Sequence, residues 1–242
     1  MMEAGAHACN CLVVPGGIGN TEQQLQAITH IRPKGYVGTP SFLKILLEKG
    51  KELSIDVSSV TNAAVGGEAL PPSLREYFHS YGIDVLQSYG TADLGLVAYE
   101  SPATEGMIID EGVVVEIVRP GTGIPLQDGE VGEVIVTSLN PVYPLIRFAT
   151  GDLSAILEGQ SSCGRTNKRI QGWMGRADQT TKIKGMFVHP KQVAEVISRH
   201  QEIERARLIV DSIDHVDVMT LHCEVSVNND QLREAIVSSL QT

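Results

Sequence analysis

Val60-Thr61-Asn62-Ala63-Ala64-Val65-Gly66-Gly67-Glu68-Ala69-Leu70-Pro71-Pro72 is the stretch on which the fold turns. Residues 60–65 form a short, largely apolar run of the length and composition of a buried strand. Two glycines close it. The prolines at 71 and 72 suit the start of a helix, where no intrahelical donor is lost. That helix is expected over residues 72–79, and Asp84-Val85-Leu86-Gln87-Ser88 supplies the next strand. The same order stands upstream. Tyr36-Val37-Gly38 reads as a strand, and Thr39-Pro40 as an N-cap followed by the first helical residue. Phe42, Leu43, Leu46 and Leu47 form the inward stripe of that helix. Strands alternating with helices predict an α/β chain with a parallel, doubly wound sheet.

Further towards the N-terminus, residues 11–14 read as a short buried strand ended by Pro15-Gly16-Gly17. A helix is expected from Thr21, its hydroxyl capping the first turn with Gln24 at the capping-box position. The pattern changes after Gly106. Residues 113–118 and 133–137 are β-rich and separated by Gly121-Thr122-Gly123 and Asp128-Gly129, which predicts an antiparallel β subdomain. A hinge is expected within residues 172–178, dividing the chain into domains 1–174 and 175–242. The tail reads strand 181–188, helix 190–200, strands 205–211 and 216–225, and a helix from 229 with Asn229 as N-cap. That order lacks only the last strand of a ferredoxin-like split βαβ unit, so the small domain is expected to be incomplete.

Composition narrows the function. Of 242 residues, 42% are hydrophobic and 20% charged, and 19 Lys+Arg against 29 Asp+Glu give a net charge of −10. That balance disfavours nucleic acid and anionic membrane surfaces as partners. No apolar stretch approaches the roughly 20 residues of a membrane span. The opening Met1-Met2-Glu3-Ala4-Gly5 has neither the basic start nor the apolar core of a secretory signal. Cys9 and Cys11 form C-x-C, and with His7 they can supply three of the four ligands that structural zinc takes. The preferred reading is reduced thiols in a cytoplasmic protein. Trp173 reads as packing.

Three glycine turns follow predicted strands, and such turns often line the ligand crevice of a parallel sheet. Gly66-Gly67-Glu68 lets a flat ligand lie against the backbone, or serves only the geometry of a strand-to-helix turn. In Tyr89-Gly90-Thr91-Ala92-Asp93, Tyr89 offers a ring face, Thr91 a hydroxyl and Asp93 a hard oxygen for magnesium. The same residues can be a buried tyrosine and a capping aspartate. In Thr150-Gly151-Asp152, the aspartate can accept two hydrogen bonds from a ribose diol, or be an ordinary turn residue.

Taken together and in order, these turns resemble the acyl-adenylate-forming, AMP-binding superfamily, and most closely its phenylacetate–CoA ligase group. Pro15-Gly16-Gly17-Ile18-Gly19-Asn20-Thr21-Glu22 is similar to that group's GGNTE segment, and Gly38-Thr39-Pro40-Ser41 to its TPS helix start. Cys163-Gly164-Arg165-Thr166, Gly175-Arg176-Ala177-Asp178, Ile183-Lys184-Gly185 and His189-Pro190 continue the series over essentially the whole chain. The resemblance implies the C-terminal part of the large AMP-binding domain in 1–174 and a small mobile domain in 175–242. It implies that Gly66, Gly67 and Glu68 border the adenine and acyl pocket. Tyr89 would stack on adenine beside Gly90 and Thr91, and Asp93 would take the magnesium-binding, catalytic place of a glutamate. Asp152 would hold the ribose, and Arg169 and Arg176 are candidate partners for phosphate or for Asp178. Asp178 falls at the hinge, and Lys184 and Gly185 in the loop lining the CoA tunnel, Lys184 also being a catalytic candidate.

The implied reaction is that of an aryl-CoA ligase: ATP and a small aromatic carboxylic acid give an acyl-adenylate, which CoA converts to the thioester. The sequence departs from the family pattern in carrying its hydroxyl at Thr91 rather than at position 92, and an aspartate at 93. The phosphate loop upstream of GGNTE and the C-terminal lysine are not among these residues, so full adenylation by this chain alone is not expected. Apolar surface left uncovered in such a fragment makes a homodimer a candidate state. Two other readings stay open: a non-catalytic nucleotide-binding module, and an adenylating enzyme with a non-CoA acceptor.

Overall fold

The computed structural model describes residues 2–179, 181–183, 186–188, 190–213, 216–226 and 230–240. Two compact units emerge. One takes residues up to Thr150 with Ala155–Trp173, the other Gly151–Ser154 with Met174 onwards.

The first unit runs α1 (Met2–Ala8), α2 (Thr21–Ile31), β1 (Gly35–Gly38), α3 (Pro40–Glu52), β2 (Asn62–Val65), α4 (Pro72–Ser80), β3 (Asp84–Thr91) and β4 (Gly95–Glu100). β5 (Met107–Ile109), β6 (Val113–Val118) and β7 (Gly132–Ser138) follow. β8 (Phe148–Ser154) begins in this unit, to which β9 (Ile156–Leu157) and β10 (Arg169–Ile170) also belong. α3 starts where its cap dictates: the Thr39 hydroxyl accepts from the Phe42 amide at 3.3 Å and Pro40 follows it.

One seven-stranded sheet has the order β1-β2-β3-β4-β5-β10-β9. β1, β2 and β3 are parallel, with Tyr36 beside Ala63 and Ala63 beside Val85. The pairings from β3 to β9 are all antiparallel. The chain is therefore α/β with a mixed sheet, and the antiparallel part expected after Gly106 already begins at β4. Ala63, Val65 and Val85 pack with Leu43 and Leu47 of α3 and Phe78 of α4. A second cluster joins Tyr89, Val97, Ala98 and Met107 to Ile117, Val134 and Val136. Each such large apolar side chain contributes about 1.5–3 kcal/mol on burial. β6 and β7 pair antiparallel in a separate three-stranded sheet of order β6-β7-β8.

Two local expectations are corrected. Residues 11–14 are irregular rather than a strand, and Leu12 is 86% exposed. An apolar run becomes a buried strand only beside pairing partners, and no described strand pairs with it. Thr21 does not cap α2. Asn20 holds the N-cap position at φ 52° without a side-chain bond, and the Gln24 amide reaches back to the carbonyls of Gly17 at 3.3 Å and Gly19 at 2.7 Å. A glutamine amide that donates to the preceding loop is not the acceptor a capping box needs.

The second unit contains a 3-10 turn (Ala177–Gln179), β11 (Thr181–Ile183), β12 (Met186–Val188), α5 (Pro190–Ser198), β13 (Ile203–Ile213), β14 (Val216–Val225) and α6 (Asp230–Leu240). The single strand expected at 181–188 is a hairpin pairing Thr181 with Val188. β13 and β14 form a second antiparallel pair. Among the described residues of this unit, Leu153, Val196, Ile203 and Ile236 are buried apolar side chains. Asn229, the expected N-cap, lies outside the described residues.

Candidate functional site

β2 ends at Val65 between two parallel neighbours, so the chain must leave the sheet to reach α4. Gly66 and Gly67 make that exit. A Cβ on Gly66 would stand 2.8 Å from the Ser88 hydroxyl and 3.1 Å from its carbonyl, and Gly67 sits at φ +76°. Glu68 is exposed, and its carboxylate accepts from the Ser41 amide at 3.2 Å and the Ser41 hydroxyl at 2.8 Å. Its main-chain carbonyl accepts from the Gln87 side chain at 3.0 Å.

Beside this turn lies a groove of about 500 Å³, walled by Leu70, Pro71, Gln87, Glu100, Met107 and Trp173. Both carboxylate oxygens of Glu100 accept from one guanidinium nitrogen of Arg75, Nη2, at 2.7 and 2.8 Å, and Glu100 also accepts from the Gln87 main-chain amide at 2.7 Å. Arg75 also donates to the Val85 carbonyl at 2.5 Å. Trp173 is 47% exposed on the groove, which corrects its reading as packing. Arg75, Gln87, Glu100 and Trp173 are the residues that sequence reasoning missed. None belongs to a glycine turn, and only the register of β3 against β4 brings Gln87 and Glu100 together.

The Tyr89 turn is built differently. β3 runs on to Thr91 and reverses into β4 as a hairpin, with a register shift between Tyr89 and Gly90. A Cβ on Gly90 would run into the Gly95 carbonyl oxygen. Tyr89 is 8% exposed and part of the second core cluster, which leaves little ring face for a base. The Thr91 hydroxyl accepts the Leu94 amide at 3.1 Å. Asp93 is exposed at the hairpin tip. Among the described residues no three His, Cys, Asp or Glu side chains converge as a metal site. A single exposed carboxylate still suits magnesium, which keeps several waters and takes one or two protein oxygens besides phosphate.

In the second unit, Asp152 has a side chain 14% exposed, and its carboxylate accepts from Arg176 at 3.2 Å. Arg176 also donates to Asp178 at 3.4 Å. Main-chain bonds from Leu153 to Gly175 and from Met174 to Leu153, both 2.9 Å, align the two segments. A Cβ on Gly151 would stand 2.5 Å from the Arg176 guanidinium. Burial works against the charge on Arg176, but the hydrogen bond and charge of Asp152, with Asp178, outweigh it and raise its pKa. Asp178 itself is exposed in the 3-10 turn.

Arg169 lies in the first unit with a side chain 8% exposed. Its guanidinium donates to the carbonyls of Glu105, Glu158 and Gly159 and faces the Glu105 carboxylate at 3.8 Å. It ties two loops together, so Arg176 and not Arg169 remains the phosphate candidate. Cys163 is exposed, and hydrogen bonding, above all with the Ser161 hydroxyl, lowers its thiol pKa. His7, Cys9 and Cys11 are exposed as well. Lys184, Gly185 and His189 lie outside the described residues.

A family model for AMP-binding enzymes matches residues 2–141, more than half of the chain. The chain belongs to the AMP-binding enzyme family. It is 32% identical to the phenylacetate-coenzyme A ligase of Escherichia coli over 231 residues, 91% of this chain and 52% of that protein. The enzyme of the same name from Aromatoleum evansii is 30% identical over 98% of this chain and 56% of its own length. The chain thus spans about half the length of the curated relatives it matches. An open conformation of 2-hydroxyisobutyryl-CoA ligase, solved with 2-HIB-AMP and CoA, superposes with a TM-score of 0.77 at 21% identity, covering 93% of this chain and 55% of that one. This likeness is one of fold. Among the described residues no helix is long and apolar enough to cross a membrane.

Proposed function

We propose that this chain carries nucleotide-handling parts of an AMP-forming acid–CoA ligase that acts on a small aromatic carboxylic acid of the phenylacetate kind. The observation that carries this reading is the groove: its wall is the loop leaving the Gly66-Gly67 turn, and an exposed tryptophan stands on its rim. A slot lined by polar and apolar side chains alike, with fixed polar groups and an aromatic face at its rim, suits a purine ring, which needs both a stacking surface and hydrogen-bond partners. The similarity to phenylacetate-coenzyme A ligases supports the reaction class.

In this reading the acid's carboxylate oxygen attacks the α-phosphorus of ATP and pyrophosphate leaves. The CoA thiolate then attacks the acyl carbon and AMP leaves. Gly66, Gly67 and Glu68 border the base, Trp173 offers the stacking face and Tyr89 backs the turn that includes Gly90 and Thr91. Asp93 supplies one oxygen to magnesium, which would neutralise phosphate charge. Asp152 accepts from the ribose hydroxyls and Arg176 faces phosphate. Asp178 acts as hinge, and Lys184 and Gly185 serve the CoA tunnel. A cytoplasmic setting fits four free thiols. Exposed Leu12, Ile18 and Val142 favour a homodimer.

Calorimetry with AMP and with a phenylacetyl-adenylate analogue tests the site. The protein binds both, and Asp152→Ala weakens AMP binding about tenfold or more, because a bond to a charged acceptor contributes about 1.5–3 kcal/mol. Tyr89→Phe, which keeps the ring, changes affinity far less. Equal affinities for the unsubstituted chain and Asp152→Ala remove the ribose assignment. Because full adenylation by this chain alone is not expected, CoA-dependent thioester formation is assayed with phenylacetyl-adenylate supplied ready-made, and it separates a ligase from a binding module and from an enzyme with another acceptor.

A further inference from the structure

We infer that Ser41 is a positioning residue for the nucleotide groove: it holds the Glu68 carboxylate on the first turn of α3 and thereby fixes the glycine turn that leads into the groove wall. This rests on the reading of that groove as the base site.

The first amides of a helix have no intrahelical partner. In α3 the Thr39 hydroxyl satisfies Phe42, and the Ser41 amide is met by Glu68, 27 residues away in sequence. A carboxylate is favoured there by the helix dipole, and its bonds are charge-assisted. Ser41 adds a second bond through its hydroxyl at 2.8 Å, so one residue grips both oxygens of the acid. On the other side Gln87 grips the Glu68 carbonyl, and Gln87 is in turn fixed through its amide to Glu100. The turn is pinned at side chain and main chain.

Two adjacent glycines would otherwise leave the turn that leads into the groove wall free to move, and that freedom would have to be frozen on binding. The hydroxyls around the pin form a small cluster. Thr39 lies 3.3 Å from the Ser41 hydroxyl, and Tyr36 donates to the Thr39 carbonyl at 3.2 Å. Burial, then the charge of Glu68, pushes the Tyr36 phenol up to about 12, so the carboxylate's field reaches across the cluster.

Ser41→Ala removes the hydroxyl and leaves the backbone and the Thr39 cap in place. Hydrogen exchange of residues 66–71 and calorimetry with AMP are the two readouts, with Ser41→Thr as the conservative partner. In Ser41→Ala the amides within this segment, Pro71 having none, exchange about tenfold faster and AMP binds about tenfold more weakly, the scale of one bond to a charged group. Ser41→Thr restores both, while exchange within α3 is unchanged in either variant. Unchanged exchange over 66–71 in Ser41→Ala overturns the pin. Faster exchange with unaltered AMP affinity overturns its role in the site. Failure of the unsubstituted chain to bind AMP overturns the groove reading instead, and the exchange arm still decides whether Ser41 holds the turn.

Discussion

The turns after β2 and β3 are similar in sequence: each follows a short strand, each contains glycine, and each carries an acid two or more residues later. Their neighbours make them different objects. β2 lies between parallel strands, and a parallel connection must leave the sheet through a crossover. Gly66 and Gly67 therefore open outward, Glu68 reaches α3, and the following residues wall the groove. β3 meets β4 antiparallel, and an antiparallel pair can close in a tight hairpin. Tyr89 consequently points into the core and Asp93 is left at an exposed tip. The direction of the next strand, not the glycine pattern, decides which turn can meet a ligand.

The sharpest way to break this contrast is to exchange the roles of the two aromatic residues. Tyr89→Ala deletes a core side chain and should lower stability by about 4 kcal/mol, as large aromatic truncations do. Trp173→Ala removes an exposed ring and should cost less than about 1 kcal/mol, while weakening AMP binding through the loss of a stacking face. Urea unfolding and calorimetry measure the pair. A stable Tyr89→Ala protein that has lost AMP, beside a Trp173→Ala protein that keeps it, would return adenine stacking to Tyr89.

The next effect sharpens the groove itself. Glu100 is 9% exposed at its side chain and holds Arg75 and the Gln87 amide together. Glu100→Ala strands a guanidinium and a main-chain donor, and breaking such a pair costs about 3 kcal/mol. Urea unfolding should show that loss, with AMP affinity falling as well because Gln87 no longer fixes the turn. Glu100→Gln keeps the shape and one acceptor, and should recover part of both. A neutral Glu100→Ala would mean that the groove floor is set by β3 and β4 alone.

Much of the architecture was legible because its signals are local. Thr39-Pro40 is a cap and a helix start whatever surrounds them, and the run ending at Val65 needs only its glycines to be read as a strand end. The order of motifs identified the family before any geometry was known. What was not legible depends on pairing. The run at 11–14 has the composition of a strand, and no described strand pairs with it. Gln24 stands at a capping-box position and donates the other way. Tyr89 alternates correctly for a ligand-facing or a core-facing ring, and only the antiparallel register of β4 selects the core. The groove escaped notice for the same reason, since Arg75, Gln87, Glu100 and Trp173 come from separate segments and share no spacing.

The smallest expected effect tests the two glycines themselves. At Gly90 the space for a Cβ is filled by the Gly95 backbone oxygen, which the hairpin cannot move without parting β3 from β4. At Gly67 the nearest atom to such a Cβ is a Thr39 methyl at 3.9 Å, and the difficulty is φ +76° alone. Gly90→Ala should therefore cost about 2 kcal/mol, an overpacking penalty. Gly67→Ala should cost about 1 kcal/mol, the penalty of a left-handed conformation on an ordinary residue. Asparagine tolerates that conformation better than alanine does, so Gly67→Asn should recover part of the loss, whereas Gly90→Asn should be at least as damaging as Gly90→Ala. Chemical unfolding of the four variants decides it. Rescue by asparagine at position 90 would show that the hairpin glycine is there for its backbone angle rather than for the close approach of Gly95, and the two turns would then be alike after all.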